Sequence, residues 1–291
     1  MKWEGNRQSD NVEDRRDGGG SGGGPRLGGR GIGIGSIAIA LLVSYFLGVN
    51  PMTVLSVLSG GSPGSQTQEA PAHRPPADDR MASFVATVLG DTEDVWKNVF
   101  SQGGGTYLEP KLVLFRGATS TACGQGQAAM GPFYCPADQK VYIDLGFYET
   151  LKNRLGAPGD FAQAYVIAHE VGHHVQNLLG ITTKMDQMRG RVSPAGSNAL
   201  SVRLELQADC FAGLWANHAH RARQLLEQGD VAEAMNAAAK IGDDALQGAR
   251  GGSVVPESFT HGTSEQRQRW FDTGLQTGNL KRCDTFSARQ L

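Results

Sequence analysis

The stretch Asp160-Phe161-Ala162-Gln163-Ala164-Tyr165-Val166-Ile167-Ala168-His169-Glu170-Val171-Gly172-His173 decides how this chain is read. Its apolar residues recur at helical spacing and continue through Val175, Leu178 and Leu179 until Gly180 stops them. The pattern predicts one helix with a buried face and Asp160 at its N-cap. Positions i and i+4 of a helix lie one above the other, so the imidazoles of His169 and His173 can point at a single ion. Glu170 would stand beside that ion, where a carboxylate can take a proton from an activated water. His174 is turned about 100 degrees away from His173 and cannot share its metal; it reads as a polar neighbour of the site. The plain alternative is an ordinary helix whose two histidines are satisfied by their surroundings.

A catalytic zinc takes three protein ligands and keeps a fourth position for water, so a third ligand has to come from elsewhere. Glu205-Leu206-Gln207-Ala208-Asp209 supplies one. From about residue 198 to 219, Leu200, Leu204, Ala208, Phe211 and Trp215 form a helical stripe, and Glu205 and Asp209 share a neighbouring face. Glu205 is the expected zinc ligand. Asp209, one turn later, is expected to accept the outer N–H of a ligand histidine and so fix its ring. An exposed acidic face is the alternative, but the flanking residues are nearly all apolar. Two carboxylates there are costly unless paired or metal-bound.

HEVGH followed by ELQAD resembles the gluzincin group of zinc peptidases. From Met1 to about Asp284, including MKWEG at the start and FTHGTSEQRQRWF near the end, the chain resembles the bacterial neutral zinc metallopeptidase family. The resemblance implies a zincin-like fold, one Zn2+ per chain, a polypeptide substrate and peptide-bond hydrolysis with Glu170 as general base. It also points to His261, in the loop before a helix opened by a Thr263–Gln266 capping box, as donor to the oxyanion. Arg267 is the weaker second candidate, and a structural loop histidine is the alternative. In such enzymes an exposed edge strand ahead of the catalytic helix pairs with the substrate. Lys140–Leu145 fits, with Lys111–Phe115 beside it, although both could be plain core strands. His73, His218 and His220 do not read as ligands.

The chain has 291 residues and a net charge of −2, which gives no sign of nucleic-acid binding. Residues 1–30, rich in glycine, are expected to form a disordered cytoplasmic tail. Residues 31–49, GIGIGSIAIALLVSYFLGV, carry no charge and are long enough for a transmembrane helix. Arg15, Arg16, Arg26 and Arg30 lie on the N-terminal side only. That asymmetry predicts a single-pass inner-membrane protein with a cytoplasmic N-terminus and a periplasmic or extracellular catalytic domain; a cleaved signal peptide is the rival. Residues 50–79 read as a linker and 80–291 as the metallopeptidase domain.

All four cysteines fall in the part placed outside, where oxidation is permitted. Three connectivities are possible; the expected one joins Cys123 to Cys135 and Cys210 to Cys283. The element order is a helix near 81–100, strands up to Leu145, the HEVGH and ELQAD helices, a helix near 231–247 and a last one near 263–273. Strands first and helices afterwards predict an α+β fold. Oligomeric state is not legible. The function expected is a membrane-anchored zinc peptidase. A zinc-stabilised binding protein with lapsed catalysis and a cell-wall peptide amidase are the alternatives.

Overall fold

The structure is a computed structural model, and it describes residues 1–16, 73–249 and 254–291. A helix α1, Arg80–Gln102, opens on Asp79, whose Oδ1 accepts the N–H of Ala82 at 3.0 Å, and buries Phe84, Val85, Val88, Leu89, Val95 and Trp96 along one face. The main sheet contains β1 (Val12–Asp14), β2 (Lys111–Phe115), β5 (Phe133–Cys135) and β6 (Lys140–Asp144) in the order β1-β2-β6-β5. The first three are parallel and β5 is antiparallel to β6. The alternation of KLVLF and KVYID sends Leu112, Leu114, Val141 and Ile143 into the main core under the helices. Val113, Phe115 and Tyr142 face the other way, where Phe133 stacks on Tyr142 with ring centroids 5.0 Å apart. A hairpin, β3 (Ala118–Thr121) with β4 (Gly124–Gln127), brings Gly126 against the Phe133 ring, so closely that a Cβ there would overlap it.

The helices that follow are α2 (Gly146–Asn153), α3 (Asp160–Leu178), α4 (Ile181–Arg189), α5 (Pro194–Arg223), α6 (Asp230–Lys240), α7 (Asp243–Ala249) and α8 (Ser264–Thr277). The α+β class is as expected. The helix expected over 231–247 is two, because the chain turns at Gly242, where a Cβ would come within 2.6 Å of the Ser264 backbone nitrogen. Asp160 is the first residue of α3 rather than its cap. Gly159, at φ +118°, precedes it, and the Phe161 N–H is capped from outside by Glu233 at 3.1 Å. The pairs Cys123–Cys135 and Cys210–Cys283 are both disulfides. Lys140–Asp144 is not an edge strand: β2 and β5 occupy its two sides, and among the described residues the edge strands of this sheet are β1 and β5.

The largest departure concerns the first sixteen residues. They do not form the tail expected over residues 1–30 but belong to the same compact unit as the helices. Val12 and Met1 are buried in the main core, and Ser9 N–H donates to the Ala86 carbonyl of α1 at 2.9 Å. The expected membrane helix, residues 31–49, and most of the linker lie outside the described residues. Among the described residues, no helix is long and apolar enough to cross a membrane.

Candidate metal centre

Helices α3 and α5 cross where Gly172 meets Ala208: a Cβ on Gly172 would lie 3.1 Å from the Ala208 Cα and carbonyl oxygen. The missing side chain lets the two backbones approach, and this approach brings the HEVGH turn up to the ELQAD turn. His169 Nε2 stands 3.2 Å from one Glu205 oxygen and His173 Nε2 stands 3.5 Å from the other. The two imidazoles are nearly perpendicular, with centroids 4.8 Å apart. His169, His173 and Glu205 each offer a ligand atom, all lying within 4.8 Å of one another.

The outer ring nitrogens fit a metal site. His169 Nδ1 lies 2.8 Å from Asp209 Oδ1, and His173 Nδ1 lies 2.8 Å from Gln176 Oε1. Each acceptor engages the proton on Nδ1, so that Nε2, once its own proton is given up, can direct its lone pair at the common point, the tautomer a metal needs. Gln176 is itself fixed, donating to the Leu204 carbonyl at 2.7 Å and to Gln207 Oε1 at 3.2 Å. Gln207 in turn donates to the carbonyl of Cys283 at 2.9 Å.

Asp209 is fully buried and accepts from three residues: His169, Tyr165 Oη at 2.5 Å, and Arg267, which binds both oxygens at 2.9 Å. Burial works to raise the Asp209 pKa, but Arg267 and His169 outweigh it and hold the carboxylate ionised. Burial likewise opposes charge on His169, yet Asp209 and Glu205 prevail and raise its pKa to about 10. Glu205 is held well below the usual carboxylate range against its own burial, chiefly by His173 and His169. The pocket is therefore built to hold positive charge. Glu170 differs: burial raises its pKa, and the neighbouring histidines only partly offset this.

His174 points away from this centre. Its Nε2 donates to the Leu108 carbonyl at 2.7 Å and its Nδ1 accepts from Tyr134 of β5 at 3.0 Å, so it ties α3 to the sheet. His261 lies in the loop before α8 with its side chain half exposed. Asp243 Oδ2 gathers the backbone N–H groups of Thr260, His261 and Gly262 at 2.7, 2.6 and 3.0 Å, while Oδ1 lies 3.3 Å from His261 Nδ1. His261 is thus held next to the Gly262 backbone, which packs on Val202 and Leu206 of α5. The Thr263–Gln266 capping box is present. His218 and His220 bond to Gly278 and Leu226 and take no part.

The sequence pattern does not single out Gln176, Tyr165 or Asp243, and it offers Arg267 only as an oxyanion donor. Gln176 and Tyr165 had a usable signal, since they sit three residues after His173 and four before His169 on the same helix. Asp243 had none.

A family profile described as "Putative neutral zinc metallopeptidase" matches residues 1–286. "Uncharacterized protein YpfJ" of Escherichia coli strain K12 is 52% identical over 292 residues, covering 98% of this chain and 99% of its own. "Uncharacterized protein Rv2575" of Mycobacterium tuberculosis strain H37Rv is 40% identical over 265 residues, covering 85% of this chain and 86% of its own. No solved structure matches.

Proposed function

The chain belongs to this family of neutral zinc metallopeptidases, and from that premise we propose that it is a zinc-dependent peptidase that hydrolyses polypeptides, with His169, His173 and Glu205 as ligands of one zinc and Glu170 as general base. The observation that carries this reading is the convergence of two Nε2 atoms and a carboxylate on one point, with both outer nitrogens already engaged. A zinc ion bound there supplies Lewis acidity to a water and to the scissile carbonyl. The Glu170 carboxylate, buried beside the ligands, takes the proton of the attacking water and later returns it to the leaving amine nitrogen. The His261 imidazole, held by Asp243, is the donor proposed for the developing oxyanion.

Substrate is proposed to enter along β5. This strand is an edge of its sheet, and Tyr134 links it to α3 through His174 and Asn177 at 3.0 and 3.1 Å. The disulfide Cys123–Cys135 ties the strand to the β3–β4 hairpin. An extended peptide can pair with such an edge beside the catalytic helix.

The test is elemental analysis of the purified full-length chain together with cleavage of a peptide library. One zinc per chain is expected. Glu170→Gln is expected to keep the zinc and to lose about 100-fold to 10,000-fold in hydrolysis, while Glu205→Ala loses the metal. A wild-type chain carrying one zinc but cleaving nothing would overturn the peptidase in favour of a zinc-stabilised binding protein.

A further inference from the structure

An unbroken line of hydrogen bonds joins His173 to the segment that follows α8. His173 Nδ1 is held by Gln176 Oε1 at 2.8 Å, Gln176 Nε2 donates to Gln207 Oε1 at 3.2 Å, and Gln207 Nε2 donates to the Cys283 carbonyl at 2.9 Å. Gln176 and Gln207 are buried, and each uses both ends of its amide. The Cys283 carbonyl therefore fixes which way the Gln207 amide faces: turned round, it would present N–H to the N–H of Gln176.

The Cys283 carbonyl is kept in place by the residue's own side chain. Cys283 closes a short 3₁₀ turn, Leu280–Cys283, and its disulfide reaches back 73 residues to Cys210. Cys210 lies three residues after Gln207 on α5, hence on the same face. Arg203 also ties this segment to α5, through the Thr285 and Ala288 carbonyls, but both lie beyond Cys283 in the chain. Towards α4 the segment is loosely packed. A cavity of about 350 Å³ lies there, lined by Met185, Met188, Phe211, Leu280 and Phe286, and Gln207 opens onto it as well. Once the Cys283 carbonyl moves off, the Gln207 amide has water in that cavity as its alternative partner.

Resting on the zinc reading of the site, we propose that Gln207 is a positioning residue for His173 and that the Cys210–Cys283 disulfide sets it, so that the affinity of the centre for zinc depends on the oxidation of this pair. The pair closes by thiol–disulfide exchange with a small-molecule disulfide such as oxidised glutathione. One cysteine thiolate attacks the oxidant and expels a thiolate, and the second cysteine then displaces the other half from the mixed disulfide. The two protons and two electrons of the pair end on the two thiols that leave. Both sulfurs are wholly buried once the segment is seated, so the exchange precedes seating. A chain that folds with these thiols reduced holds zinc loosely; one that has met an oxidising compartment holds it firmly.

The test measures zinc affinity by chelator competition in the full-length wild type, in Gln207→Leu, in Cys210→Ser/Cys283→Ser and in the triple variant, with circular dichroism confirming that each is folded. Gln207→Leu and the cysteine variant are each expected to bind zinc about 10-fold more weakly. The triple variant is expected to be no weaker than the cysteine variant, because one line has been cut twice. A disulfide that only stabilised the fold would give additive losses or none. Wild-type affinity in Gln207→Leu overturns the proposal even where the cysteine variants do not fold, and additive losses overturn it as well. A wild type without zinc overturns the zinc reading itself, whereas one zinc held equally tightly by all four proteins overturns only the present proposal.

Discussion

Arg267 grips Asp209 through two hydrogen bonds, Nε to Oδ2 and Nη2 to Oδ1, each 2.9 Å long, with both side chains buried. Removing the cation strands a carboxylate in the core. Arg267→Ala is therefore expected to destabilise the fold by about 3–5 kcal/mol, read as a lower denaturant midpoint. Because Asp209 also orients His169, zinc affinity should fall as well. Arg267→Lys keeps the charge but not the two-pronged geometry and should lie between.

Gln176 stands to His173 as Asp209 stands to His169. Gln176→Leu removes the acceptor with little change in volume. Zinc affinity measured by chelator competition is expected to drop about 10-fold to 100-fold. Gln176→Glu keeps the acceptor for His173 but gives up the two bonds that Gln176 donates to the Leu204 carbonyl and to Gln207, so it should recover only part of the affinity. Equal affinity in wild type and Gln176→Leu would show that His173 needs no such partner.

Helices α5 and α8 touch backbone to backbone at Gly213 and Gly274, where an added Cβ would overlap the Phe271 and Cys210 carbonyl oxygens respectively. Neither helix can yield without pulling on Asp209 or Arg267. Gly274→Ala, mild on an exposed helix, is expected here to cost about 3 kcal/mol or more and to lower the melting temperature accordingly. Gly190→Ala, which meets nothing within 4 Å, is the control and should leave stability nearly unchanged.

Glu13 of β1 sits against Lys140, Arg15 and Lys111. Its burial would raise its pKa, but these three cations lower it from 4.5 to about 2. A carboxylate depressed in the folded state contributes stability above its unfolded pKa and loses that contribution as pH falls through the folded value. The attachment of β1 is thus expected to weaken between about pH 4.5 and pH 2. The readout is amide exchange of Val12 to Asp14 across that range, with Glu13→Gln already weakened at neutral pH.

What could be read from the sequence is what depends on spacing along one helix. His169 and His173 need only a turn of α-helix to share a point, and Glu205 and Asp209 likewise share a face; the structure brings both pairs together through the crossing at Gly172 and Ala208. That crossing is a tertiary fact, and so is the place of Arg267, which comes from a third helix. Strand β1 is illegible in the sequence for a different reason. Val-Glu-Asp is too short and too charged to show an alternating pattern, and its partner Leu112-Val113-Leu114 lies 100 residues on. Gly242 sits inside an otherwise helical pattern, and only the proximity of Ser264 shows why the chain breaks there.

The parallel pairing of β1 with β2 also sets a timetable for biosynthesis. Asp14 leaves the ribosome 100 residues before Leu114, its partner in register. At about 5–20 residues per second, the first strand waits about 5–20 s with nothing to pair with. The Met1–Arg16 stretch then has to be recaptured after β2, β6 and α3 have begun to form. Until it arrives, β2 carries a bare apolar margin on which a second nascent chain could dock, so the yield of correctly folded protein should depend on how quickly the Met1–Arg16 stretch comes back to claim it.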